Sequence, residues 1–158
     1  MIEFNGRGHI VPFLRVQSTL REFETVFVKT IHSDQRTRLF DGYCRYLEDL
    51  TKITGNGHIQ WINGGFTTRS TNPGDIDIVT FLDYNIVHQH VQTLQAFIYP
   101  ESLEEYGIDA YIVTVYPDNH RYIAQTLADR AYWMNQFDST KPNRRGNIYH
   151  KGYLEIHI

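Results

Sequence analysis

Two aspartates one residue apart, Asp75 and Asp77, open the most apolar run of the chain, Asp75 to Leu82. In an extended strand alternate side chains share a face, so both carboxylates point one way while Ile76 and Ile78 point the other. Carboxylates so placed repel each other unless something neutralises them, and they are close enough to chelate one hard cation. Mg²⁺ is commonly held by one or two carboxylates together with substrate phosphates, so Mg²⁺ or Mn²⁺ is the expected cofactor. Just upstream, Gly64 and Gly65 let backbone approach a ligand because neither carries a Cβ. Thr67, Thr68, Ser70 and Thr71 add hydroxyl donors, and backbone N–H groups of a turn there would favour an anion. Arg69 could pair with a phosphate or stay solvated. The tight turn Asn72-Pro73-Gly74-Asp75 delivers the chain into the acidic strand. Alone, an Asp-x-Asp or a Gly-Gly is a weak signal. Close together, and running into an apolar strand, they are much more specific.

The elements that must position these residues follow from periodicity. Residues 1–17 read as extended, with Gly6, Gly8 and Pro12 opposing a helix. A short helix follows, with Thr19 and Glu22 in capping-box spacing and Leu20, Phe23, Val26 and Phe27 at helical intervals. Ser33 caps a second helix whose apolar stripe is Leu39, Tyr43, Tyr46, Leu47 and Leu50; the sequence TGNG ends it. Strands are predicted over His58 to Asn63 and Asp75 to Leu82. A helix is predicted over Asn85 to Phe97, with Val87, Val91, Leu94 and Phe97 inward. YPESLEEYG reads as a loop with room for a helical turn, IDAYIVTVYP as a strand, and DNHRYIAQTLADRAYWMNQF as a helix with Tyr122, Ile123, Leu127, Ala131 and Met134 inward. YLEIHI closes as a strand. The fold class is α+β: a small mixed β-sheet flanked by helices, in one domain spanning 1–158.

Composition excludes several classes. At 158 residues with 41% hydrophobic and 21% charged residues, the chain has the make-up of an ordinary globular domain. No apolar run is long enough for a bilayer, and MIEFNGRGHIVPF lacks a signal peptide's basic start and apolar core. One cysteine, Cys44, rules out an internal disulfide and is expected to be buried as a small hydrophobe; a reducing cytoplasm fits it. The histidines include His88 and His90, which point apart on a helix, and they make no zinc site without a cysteine partner. Neither G-x-S-x-G nor a GK[ST] loop occurs. A net charge of −3 confines any nucleic-acid surface to a local patch. The candidate is Lys141 to Tyr153, with four positive charges, no acid, and Tyr149 and Tyr153 available to stack on bases or to fill a turn.

The order of a hydrophobic residue, Gly, Gly or Ser, about ten residues and then Asp-hydrophobic-Asp-hydrophobic resembles the polymerase β-like nucleotidyltransferase superfamily. Here it runs Ile62, Gly64, Gly65, then Asp75, Ile76, Asp77, Ile78. With LREFETVFV, YGIDAYIVTVYP and KGYLEI, the chain also resembles a compact bacterial family of that superfamily, of uncharacterised function. The resemblance implies two metal ions on three carboxylates, activating an acceptor hydroxyl and stabilising a pyrophosphate leaving group. Asp109, at the head of a later apolar strand, best matches the third; Asp83 and Asp118 match less well. It also implies nucleotide binding by Gly64, Gly65, Thr67, Thr68, Arg69 and Lys151, with Arg144 and Arg145 within reach if the last strand borders the site. Many members carry serine where Gly65 stands, which would pass phosphate contacts to Thr67 or Thr68.

Two functions compete. One is a transferase moving a nucleoside monophosphate from an NTP such as ATP to an RNA or protein hydroxyl, in a toxin–antitoxin or phage-defence setting by family analogy. The other is a catalytically inactive module that binds nucleotide or a partner; the position of Asp109 relative to Asp75 and Asp77 discriminates them. A third, compatible role is structural. YLEIHI at a sheet edge would pair with a protein partner or a second copy of the chain.

Overall fold

The computed structural model describes residues 2–158. It is α+β, with a five-stranded mixed sheet and a separate two-stranded one. The small sheet pairs β1 (Glu3–Phe4) with β2 (Ile10–Val11). The main sheet contains β3 (Arg15–Ser18), β4 (Ile59–Asn63), β5 (Ile76–Asp83), β6 (Ile108–Val115) and β7 (Tyr153–His157). Its order is β3-β7-β4-β5-β6, with β3/β7 and β5/β6 parallel and the two inner pairings antiparallel.

The alternation in β5 divides the interior in two. Ile76, Ile78 and Leu82 face one side, with Ile62, Ile108, Ala110, Leu154 and Ile156, and form the main core against the N-terminal helices. Val79 and Phe81 face the other side, with Trp61, Val113, Tyr153 and Phe137, in a smaller aromatic core. Asp77 belongs to this second face.

The helical layer follows its caps. Helix α1 (Leu20–Glu24) starts where Thr19 Oγ1 accepts from Glu22 N at 3.1 Å, and it continues as a π-helical turn over Thr25–Thr30. Helix α2 (Asp34–Thr54) is capped by Ser33 and ends at Gly55, whose φ of +70° favours glycine. All five expected stripe residues of α2 are buried. Arg36 falls on the same stripe and is fully buried, which the sequence reading did not anticipate.

Several expectations are corrected. The segment predicted as one helix over Asn85 to Phe97 is α3 (Tyr84–Gln89) followed by a 3₁₀ turn, Thr93–Phe97. Tyr46 holds Phe97 inward, its hydroxyl donating to Phe97 O and its ring meeting Phe97 at 5.7 Å, while Val91 turns to solvent. The expected loop after it contains α4 (Glu101–Tyr106), closed by Gly107 in the left-handed region. Helix α5 (Ile123–Phe137) packs on the second sheet face through a different stripe from the one predicted. Tyr122, Leu127, Ala131 and Met134 are exposed; Thr126 and Phe137 are buried, with Ile123, Arg130 and Trp133 half-buried. The reason is polar. Thr126 Oγ1 donates to Thr114 O and accepts from Tyr116 N, which rotates the helix and leaves its aliphatic stripe outward. Cys44 is exposed rather than buried, since it flanks the α2 stripe instead of lying on it. Finally, β7 (within YLEIHI) lies between β3 and β4 and so has no free edge. Its side chains are buried on both faces: Leu154 and Ile156 toward one core, Tyr153 and Glu155 toward the other.

Arg36 ties α2 to the β4–β5 connection. Its guanidinium donates five hydrogen bonds of 2.6–2.9 Å to the carbonyls of Phe27, Phe66, Thr68 and Ser70. Burial lowers its pKa to about 10. Removing the donor strands several buried carbonyls, so Arg36→Leu is expected to lose about 3 kcal/mol or more of stability by urea unfolding. Arg36→Lys, with fewer donors and no fork, recovers only part of that.

Candidate functional site

The acids meet where β4, β5 and β6 share one end. The register sets Asn63 opposite Asp77 and Asp77 beside Asp109, a row of three polar side chains on the α5 face. Asp75 stands one residue outside β5, at the exit of the turn, rather than within the strand as predicted. The three carboxylates sense one another. Burial, then Asp75 and Asp109, push the Asp77 carboxyl up to about 6, against the pull of Lys151 and Lys141. Burial and then Asp109 raise Asp75, opposed by Lys141. Asp109 Oδ1 is buried without a hydrogen-bond partner. Burial and the Asp109 carboxylate raise the neighbouring Tyr111 phenol to about 12.

Gly64 makes room for this row. Its φ is +86°, and a methyl group on it would overlap Asp77 Oδ2. Only glycine meets both conditions, the left-handed backbone and the carboxylate packed on its Cα. Asn63 and Thr67 stiffen the turn: Asn63 Nδ2 donates to Phe137 O at 3.0 Å, and Thr67 Oγ1 donates to Asn63 Oδ1 and Gly64 O. Thr67 is buried, and Thr68 Oγ1 donates to Gly65 O while accepting from Ser70 N. Both hydroxyls expected to hold phosphate are therefore engaged in shaping the loop. Gly65 is exposed beside Pro73.

Positive charge comes from the other side. Lys151 is buried, Nζ 3.4 Å from Gly64 O, and burial lowers its pKa to about 8 although Asp77 pulls it up. Lys141, exposed at the start of the basic segment, acts on Asp75 and Asp77. Arg144 and Arg145 are exposed farther along the same segment. Arg69 is placed elsewhere: its guanidinium lies 5.0 Å from the Phe4 ring, on the N-terminal hairpin. Of the two tyrosines offered for stacking, Tyr153 is buried in β7, and Tyr149 is covered by the Arg7 guanidinium at 4.4 Å.

Sequence reasoning thus located Asp75, Asp77, Asp109, Gly64 and Lys151, which the fold brings to one end of the sheet. It missed Asn63 and Arg36, and it offered Lys141 only within the basic segment, not beside the acids. A signal existed for the first two: Asn63 ends an apolar strand directly before the glycine pair, and Arg36 interrupts an apolar stripe.

Three carboxylates with one orphaned buried oxygen fit a hard divalent cation by charge and donor type. Among the described residues, no three His, Cys, Asp or Glu side chains are gathered into a ready-made metal group. The thiol of Cys44 is raised by partial burial beneath its exposed surface, then by Asp41 and Glu24, which disfavours the thiolate. Among the described residues, no helix is long and apolar enough to cross a membrane.

A model of a family of unknown function, DUF6932, matches residues 2–157, and the chain belongs to that family. No curated protein and no solved structure matches it.

Two consequences can be measured. The folded Asp77 pKa of about 6 lies above the ordinary carboxyl range, so the stabilisation linked to its proton is full at acid pH and lost as pH rises through 6. Asp77→Asn is therefore expected to be more stable than the parent above pH 6, by up to about 2 kcal/mol, and about as stable as the parent below about pH 4. Gly64→Ala is expected to lose about 1–3 kcal/mol in chemical denaturation, from backbone strain and displacement of Asp77.

Proposed function

We propose that this member of the DUF6932 family is a metal-dependent nucleotidyltransferase that moves a nucleoside monophosphate from an NTP to an RNA or protein hydroxyl. The observation that carries the reading is the row in which Asp77 stands beside Asp109, its carboxylate seated on Gly64 at the turn that leads to Asp75. The polymerase β-like resemblance expects acids from two neighbouring strands beside a glycine turn.

Asp75, Asp77 and Asp109 would hold the metal. A divalent cation there supplies charge neutralisation at the transferring phosphate and the leaving pyrophosphate. The remaining roles belong to the chain. Among these acids Asp77, on the strand beside Asp109, would take the proton from the acceptor hydroxyl as that oxygen bonds to the α-phosphorus and the bond to pyrophosphate breaks. Lys151, fixed beside the Gly64 carbonyl, offers a cation to the phosphates. Lys141 adds charge from the solvent side. Arg36 acts at a distance by fixing the connection that carries the glycine turn.

A second reading, a nucleotide- or partner-binding module without turnover, draws on two observations. The Thr67 and Thr68 hydroxyls are occupied within their loop, and Arg69 is turned to the N-terminal hairpin. One experiment separates the readings. Each α-³²P-NTP is incubated with the protein and Mg²⁺ or Mn²⁺, with total RNA or lysate protein as acceptor. The transferase reading expects a discrete labelled band, lost in Asp77→Asn and reduced at least about a hundredfold in Asp109→Asn. Saturable NTP binding with no label on either acceptor favours the module. A band that persists in Asp77→Asn rules out this acid row as the catalytic centre.

A further inference from the structure

Two rows along the sheet from the acids, on the same face, lies a cavity of about 220 Å³ lined by Arg15, Ile59, Trp61, Phe81, Arg130 and Glu155. Its chemistry differs from that of the acid row. Glu155 is buried, and both its oxygens are engaged. Oε2 accepts from Trp61 Nε1 at 2.9 Å and pairs with Arg15 at 3.1 Å, while Oε1 meets His157 at 3.2 Å. Burial works to raise the Glu155 carboxyl, but Trp61, His157 and Arg15 hold it below its usual range, so it is an anion already neutralised. Among the described residues, Arg130 has no such acid partner. Its guanidinium lies 5.1 Å from the Phe81 ring, and its Nε–H is buried without an acceptor. Two guanidiniums facing one carboxylate leave the cavity with one uncompensated positive charge.

A buried donor left unpaired is rare, and it carries a cost that a bound acceptor removes. Here the orphan donor is a planar cation, the chemistry that recognises carboxylate and phosphate. The walls beside it are aromatic: the Trp61 and Phe81 rings meet edge to face with centroids 4.5 Å apart, and the Arg15 and Arg130 guanidiniums lie over them at 5.7 and 5.1 Å. The volume falls below the range typical of drug-sized ligands, which sets the scale of a small metabolite.

We propose that this cavity binds a small organic oxyanion with an apolar body, its anionic group on the Arg130 guanidinium and its body beside Ile59, Trp61 and Phe81. The site does not depend on the acid row and stands whether or not the chain transfers nucleotides.

The probes are benzoate and phenyl phosphate, with uncharged benzamide as control, titrated into the full chain and followed by protein amide and indole NMR. Saturable shifts of the Trp61 indole N–H and of Arg130 are expected for at least one anion and not for benzamide. Whichever anion binds tighter identifies the carboxylate or the phosphate source. Arg130→Met should weaken the anion about tenfold or more. Arg130→Lys should restore part of the affinity, and it substitutes as the test if the methionine variant does not fold. The proposal is overturned if neither anion gives saturable shifts, if the shifts map away from Trp61, or if folded Arg130→Met or Arg130→Lys binds as the parent does.

Discussion

A single buried guanidinium governs the site end of the molecule. The connection between β4 and β5 has no regular structure, so its carbonyls find no partners in a helix or a ladder. Arg36 supplies those partners from a helix that is itself anchored in the main core. The start of α2 adds to the grip: Ser33 Oγ donates to Thr71 O and Gln35 Nε2 to Pro73 O. A cation with only carbonyl dipoles around it is an expensive object to bury, and its five bonds are the compensation. With that loop fixed, Gly64 keeps its left-handed conformation and Asp77 keeps its seat.

The second sheet face then separates two kinds of charge. At one end, three carboxylates crowd together and two of them are raised by their neighbours. Farther along, Glu155 is paired with Arg15 while Arg130 stands over Phe81. Helix α5 lies over this same face with its polar anchor, Thr126, at one end and Phe137 at the other, where the Phe137 carbonyl receives Asn63. The helix thus ends where the acid row begins. That placement keeps the row half-open while the aromatic core beneath α5 stays closed.

The local pattern carried much of this. Alternation in IDIVTFL determined which residues of β5 face the main core and therefore where Asp77 points. The stripe of α2 and the Ser33 cap were equally plain. What depended on distant partners was hidden. The inward face of α5 is chosen by hydrogen bonds to β6 carbonyl and amide groups, against the pull of its own aliphatic stripe, so hydrophobicity alone pointed the wrong way. The central position of β7 is decided by β3, a short strand with little apolar character of its own. Glu155 was the overlooked clue: a carboxylate within an otherwise apolar strand had to be answered by Trp61 and Arg15 across a neighbouring strand. The loop hydroxyls Thr67 and Thr68 have suitable composition for phosphate, yet their own backbone claims them.

The pairing of β3 with β7 also dictates the order in which the molecule can assemble. Arg15 must find Tyr153, a partner from the far end of the described chain, before the sheet is complete. Strands β4, β5 and β6 and the helices between them can come together first through contacts much closer in sequence. Such closure late in folding is entropically demanding and slow compared with local structure. Until β7 docks, β4 presents an unpaired edge bearing Trp61 and Ile62, the kind of surface that recruits other chains. The same strand that shields the aromatic core in the finished protein therefore leaves its maturation exposed, and a chaperone would meet this protein as an unfinished sheet with one bare edge.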